Sequence, residues 1–254
     1  MDNLILTAVI QPGIQSLTLN RAERRNALSI ELLESLCREL DQLENDRQNR
    51  VVLLCGAGPV FSAGLDLREA ADVDLVDRSA EAVKQTLGKL RSTSLVVIAV
   101  VQGGAFAGGA GLMAACDIVI ASTDVKIGFP EARRGLLPAL VTDVLRHKVR
   151  EGDLRDLFLA GEPIDAVRAQ QIGIVQRVVP ATELLDSAVA LARSVVAGGP
   201  DTIRKTKALI NTSFSENVPA DKPNLIDMHL AARHSDEARE GLAAFNEKRD
   251  PKWH

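Results

Sequence analysis

A chain of 254 residues with 30 basic and 34 acidic side chains carries a formal charge of −4, so it has no overall positive field with which to grip nucleic acid or an anionic membrane. Its length suits one compact unit with an appended subdomain. No apolar run reaches the length of a membrane-spanning helix, and the start MDNLILTAVI has neither a basic stretch nor a small-residue cleavage site, so a cytoplasmic protein is expected. In chain order, LILTAV and IQSLTLN flank the turn Gln11-Pro12-Gly13 and read as a hairpin. The first helix follows, with Ser29 as N-cap, Glu31 and Glu34 in its first turns, and an apolar stripe of Leu32, Leu33, Leu36, Leu40 and Leu43. VVLLCG has no polar alternation, which predicts a strand buried on both faces.

An amphipathic helix over Ala80–Leu90 is predicted next, then the strand LVVIAVV, a glycine-rich loop, a small-residue helix and the strand DIVIAS. Strand and helix alternate from Val51 to about Ser122, the mark of an α/β core. From Pro138 the pattern is mostly helical, with one more strand at IVQRVV and helices over Thr182–Val196, Asp201–Ile210, Leu225–His234 and Asp236–Asn246. No internal repeat stands out. Cys37, Cys55 and Cys116 fall in no disulfide or zinc spacing and read as reduced packing residues, and the four histidines share no ligand spacing, so no metal site is expected.

Two segments are unusual. VFSAGLDL (Val60–Leu67) places a Ser-Ala-Gly turn between apolar residues just after a strand, and GGAFAGGAG (Gly103–Gly111) puts five glycines into nine residues where a strand meets a helix. Neither contains the GxGxxG of dinucleotide sites, the GxxxxGK of phosphate loops or the GxSxG of serine hydrolases. Both present backbone N–H groups at bends after buried strands. Two such groups converging on one point would stabilise charge developing on a carbonyl oxygen.

LNRAERRNALS (Leu19–Ser29), FSAGLDL (Phe61–Leu67), GGAFAGGAGLMAACDI (Gly103–Ile118), FPEARRGLLPA (Phe129–Ala139), the segment Ala169–Val175 and AFNEKRDP (Ala244–Pro251) together resemble the crotonase, or enoyl-CoA hydratase/isomerase, superfamily. The resemblance implies an α/β fold, a crotonase-like spiral of ββα units with the acyl-CoA site over residues 1–195. A C-terminal helical oligomerisation region over 196–254 would build homotrimers or hexamers. It further implies an acyl-CoA thioester as substrate, with coenzyme A part of that substrate and no other cofactor, and a thioester enolate held by the N–H groups of Leu65 and Gly108. The acid/base position falls on Glu131 in FPEAR. A second glutamate, common three residues after the oxyanion glycine, is absent, because Gly111 stands there.

Gly111 alone favours a double-bond isomerase, which needs one carboxylate. The run ALVTDVLRH after LLP, combined with GGAGL, instead resembles bacterial hydratases acting on methylglutaconyl-CoA and related branched acyl-CoAs. The reading adopted is therefore a hydratase with Glu131 as catalytic acid/base, the alternatives being an enoyl-CoA isomerase or a non-catalytic acyl-CoA-binding homologue. Substrate contacts are expected from Arg24 in the cluster Arg21, Arg24 and Arg25, from Ala63, Asp66, Leu67 and Arg68 around the first turn, and from Phe245 and Lys248 near the end of the chain. Asp66 is also expected to brace its own loop, as aspartate does in turns.

Overall fold

The computed structural model describes residues 3–214 and 235–253, with the side chains of Ala71, Phe245 and Asn246 left undescribed. The chain divides into two compact units, Met1–Ala192 and Arg193–His254. In the first, β1 (Ile5–Gln11) and β2 (Ile14–Leu19) form the expected antiparallel hairpin. β3 (Val51–Gly56), β4 (Val96–Val101), β6 (Ile118–Ser122) and β9 (Arg177–Val179) then add in parallel, giving a six-stranded sheet of order β1-β2-β3-β4-β6-β9. The near-continuous apolar runs explain this architecture. Val51 to Leu54 and Val96 to Val101 are buried throughout, as strands covered on both faces must be.

Helix α1 (Ile30–Asn45) covers this sheet with Leu32, Leu33, Leu36 and Leu40, all at most 1% exposed. Each such leucine contributes about 1.5–3 kcal/mol by leaving water. The start of α1 is fixed twice: Ser29 Oγ accepts from Leu32 N–H, and the Glu69 carboxylate accepts from Ile30 N–H at 2.7 Å. Glu69 belongs to a short helix, α2 (Leu67–Ala71), which none of the predicted elements covers. The next helix, α3 (Val76–Ser92), begins four residues before its predicted start at Ala80.

A second sheet of three short strands is the main departure from the predicted elements. β5 (Gly104–Phe106) lies within the segment expected to be loop, pairs in parallel with β7 (Lys126–Gly128), and β7 pairs antiparallel with β8 (Ile164–Asp165). Isolated bridges Ser62↔Ala105 and Leu28↔Leu65 extend the pattern to the VFSAGLDL turn. A long strand followed by a short one thus recurs: β3 with the Ser62 bridge, β4 with β5, β6 with β7. After β5 comes α4 (Gly108–Ala115), every residue of which is buried. This is the ββα spiral.

The predicted strand IVQRVV shrinks to Arg177–Val179, while Ile174 and Val175 are buried in the turn before it. The predicted helix from Thr182 opens as a 3-10 turn, Ala181–Glu183, leading into the helix Leu184–Val196. The second unit contains a helix, Pro200–Ser213, and a last helix, Asp236–Glu247, which the Glu237 carboxylate ties together by accepting from Asp201 and Thr202 N–H. The helix predicted over Leu225–His234 lies outside the described residues. No helix among the described residues is long and apolar enough to cross a membrane.

Candidate active site

The first bend is held by an unusually dense polar network. Asn26, fully buried at φ 52°, donates through Nδ2 to the carbonyl oxygens of Ala57 (2.8 Å), Val60 (3.0 Å) and Phe61 (3.0 Å), while its Oδ1 accepts from Arg21 N–H. Ser62 Oγ donates to Asn26 C=O at 2.8 Å and accepts from Gly64 N–H at 3.3 Å. The segments LNRAERRNALS and VFSAGLDL are therefore one structural piece. Gly64 sits at φ +95°, and a Cβ there would lie 2.7 Å from Phe106 C=O and 3.1 Å from Ala107 Cβ, so only glycine allows the first bend to lie against the second.

The second bend turns on Ala107, at φ 49° and ψ −124°, a strained conformation for a residue with a Cβ. It opens α4, whose first N–H groups have no carbonyl partner within the helix. Leu65 N–H and Gly108 N–H each lack an acceptor among the described residues. Both residues line one cavity of about 610 Å³, a size that suits a small-molecule site. Its walls are mainly apolar, with Leu65, Leu67, Val76 and Val83 of α3, Leu140 and Val141 among the lining residues.

Glu131 reaches the same cavity and is 7% exposed. It follows β7 and opens a 3-10 turn, Ala132–Arg134, closed by Gly135. Its Oε2 is buried with no hydrogen-bond partner among the described residues, an uncommon state for a carboxylate and one associated with chemistry. Burial pushes the Glu131 carboxyl above its ordinary value, against the smaller opposing effects of its own backbone N–H and the Arg134 guanidinium. The arrangement can therefore exchange a proton with a ligand placed against two free backbone donors.

Among the other expected residues, Ala63, Leu67 and Arg68 line the cavity. Asp66 does too, but its carboxylate is occupied: Oδ2 pairs with Arg21 at 3.0 Å and Oδ1 caps α2 by accepting from Arg68 N–H. Burial opposes ionisation of Asp66, and the hydrogen bonds from Arg21 and Arg68 prevail and hold its carboxyl below the ordinary range. Arg21 is thus a brace inside the fold, also donating to Ala27 C=O, whereas Arg24 stands exposed outside the cavity lining. Phe245 and Lys248 belong to the C-terminal unit, Phe245 in its last helix and Lys248 just beyond at φ 54°.

Three contributors escaped the sequence reading. Asn26 lay within a quoted motif but was given no role, Arg134 lines the cavity three residues after Glu131, and Val141 lines it while packing against Gly111 of α4. A Cβ on Gly111 would lie 2.9 Å from Val141 Cγ2. The place where a second carboxylate was sought is filled by a valine from α5 (Ala139–Leu145).

The chain is similar to known proteins along nearly its whole length. The chain is 35% identical over 241 residues to a Thermus thermophilus protein described as a candidate enoyl-CoA hydratase, covering 92% of this chain and 95% of that one. It is 31% identical over 252 residues to the 2,3-dehydroadipyl-CoA hydratase of Escherichia coli, covering 99% and 98% of the two chains. The crystal structure of an enoyl-CoA hydratase from Bacillus anthracis superposes with a TM-score of 0.90 at 31% identity, over 98% of each chain. Since the enoyl-CoA hydratase/isomerase family profile also matches residues 9–254, the chain belongs to the enoyl-CoA hydratase/isomerase family of crotonase-fold enzymes.

Proposed function

We propose that this enzyme adds water across the double bond of a 2-enoyl-CoA, with Glu131 as its single acid/base and the N–H groups of Leu65 and Gly108 as the oxyanion hole. The observation that carries the reading is the buried Oε2 of Glu131, without a hydrogen-bond partner among the described residues, in a cavity that Leu65 and Gly108 also line. Glu131 takes a proton from water as its oxygen attacks C3, the enolate oxygen is stabilised by the two N–H groups, and the same proton is then delivered to C2. Atoms balance as enoyl thioester plus water giving 3-hydroxyacyl thioester. Removing one oxyanion donor typically costs about 10²–10³ in rate, so both donors matter as much as the carboxylate.

A second reading is favoured by one specific contact. The packing of Gly111 against Val141 leaves an apolar wall where another carboxylate could have oriented water. A one-carboxylate site suits an isomerase, in which Glu131 removes a proton from C2 of a 3-enoyl thioester and returns it at C4. Incubating the protein in deuterated water with crotonyl-CoA, 3-methylglutaconyl-CoA and a 3-enoyl-CoA separates the two. A mass gain of water on a 2-enoyl substrate supports the hydratase; consumption of the 3-enoyl substrate alone, without water, supports the isomerase.

CoA contacts from Arg24 and Arg68, further substrate contacts from Phe245 and Lys248, and an oligomerising role for residues 196–254 belong to the same proposal. The C-terminal unit exposes Ile210, Phe214 and Leu242, apolar surface that an oligomer could cover. Sedimentation velocity reads the assembly directly, and a monomer would remove that part of the reading.

A further inference from the structure

Arg134 raises a question that an ordinary acyl chain does not answer. The turn Ala132–Arg134 is 3-10, and in that geometry side chains three residues apart eclipse. Arg134 therefore projects on the same side as Glu131, and both line the cavity. Its neighbour Arg133 is directed elsewhere, donating to Ala160 C=O at 3.0 Å and pairing with Glu162. The Arg134 backbone N–H donates to Glu131 C=O at 2.9 Å, whereas its guanidinium makes no hydrogen bond or ion pair among the described residues, and its electrostatic interaction there is with the Glu131 carboxyl. The wall beyond it, Leu136 to Val141, contains no charged side chain.

Arg134 is exposed where it borders the cavity, so a ligand seated there takes part of the water from its guanidinium. An alkyl tail would offer nothing in exchange, and a desolvated cation without an anion is costly. A carboxylate offers a charge-assisted, two-pronged contact that matches the planar guanidinium. We propose that Arg134 binds a terminal carboxylate on the acyl group, so that the preferred substrate is the CoA thioester of a dicarboxylic acid. This rests on the acyl-CoA reading above and assigns its substrate class. It also has a chemical consequence: a carboxylate on Arg134 offsets the cation nearest Glu131, making the Glu131 carboxylate a stronger base toward the attacking water.

The test measures binding rather than turnover, using saturated thioesters that cannot be hydrated. Hexanedioyl-CoA, hexanoyl-CoA and free CoA are titrated calorimetrically into the wild type and into Arg134→Met, Arg134→Lys and Arg133→Met. The expected result is about tenfold tighter binding of hexanedioyl-CoA than of hexanoyl-CoA by the wild type. That preference should fall to about onefold in Arg134→Met, survive in part in Arg134→Lys and persist in Arg133→Met. Equal affinities in the wild type, or a preference that survives Arg134→Met, would overturn the assignment while leaving the acyl-CoA reading intact. A loss of free CoA binding in Arg134→Met equal to its loss of hexanedioyl-CoA binding would also overturn it, placing Arg134 on the CoA phosphates. Failure of every thioester to bind the wild type would remove the acyl-CoA reading and this inference together.

Discussion

Backbone donors cannot be deleted by side-chain mutagenesis, so the proposed oxyanion hole is best tested through Gly64. Gly64→Ala forces an L-residue to φ +95° and drives a Cβ to 2.7 Å from Phe106 C=O and 3.1 Å from Ala107 Cβ. The backbone conformation costs about 1–3 kcal/mol, and relieving the contacts by moving β5 away costs about 1–3 kcal/mol more. Together these amount to roughly 2–6 kcal/mol, a fall in Tm of about 4–24 °C for a domain of this size. The same movement separates Gly108 N–H from Leu65 N–H, and misplacing one donor should lower kcat by about 10²–10³.

Gly161→Ala supplies the comparison. It imposes φ +62° but meets only the flexible Arg133 side chain, at 3.3 Å or more, so it should cost about 1–3 kcal/mol through backbone strain and leave kcat unchanged. Enoyl-CoA turnover and thermal denaturation are measured on both variants at a temperature where each remains folded. If folded Gly64→Ala turned over at the rate of Gly161→Ala, the two bends would not form the catalytic donors.

Other outcomes follow from the same geometry. Asn26→Ala leaves the carbonyl oxygens of Ala57, Val60 and Phe61 without their shared donor, and denaturant unfolding should show a loss of about 2–4 kcal/mol; a loss below 0.5 kcal/mol, on the order of a neutral surface substitution, would show the network to be incidental. Gly111→Glu overpacks against Val141 and should cost about 1–3 kcal/mol without improving hydration, whereas adding Val141→Ala should recover stability; a fully stable single variant would contradict the apposition. For Glu131, burial raises the carboxyl above 4.5, so the folded chain binds more protons than the unfolded one between 4.5 and the raised value. Stability contributed by this group therefore falls as pH rises through that window, and the penalty is complete above it. Glu131→Gln should match the wild type in stability below pH 4.5 and exceed it progressively at higher pH; a pH-independent difference in unfolding free energy would show that the carboxyl is not held up by burial.

The long elements were legible because their patterns are unambiguous: the leucines of α1 repeat at helical spacing, and VVLLCG has no polar residue to alternate. The second sheet was not legible, since strands of two or three residues such as β8 and β5 are too short to show a period. That is also why the spiral escaped as a repeat. At the site, Leu65, Gly108 and Glu131 came from motifs contiguous in sequence. The meeting of Gly111 with Val141 could not, because it joins residues on separate helices through a contact that only packing reveals. Arg21 stands in the cluster from which Arg24 was expected to meet substrate, and it is the ion-pair partner of Asp66, a role its residue type could not distinguish.

The central claim is that one carboxylate does the proton chemistry, and Glu131→Gln tests it most directly. Glutamine keeps the shape and removes the titratable proton, so single-turnover assays with a 2-enoyl-CoA should show kcat reduced by about 10²–10⁴ with thioester binding retained. Full turnover by Glu131→Gln would contradict the account and move the acid/base to another group.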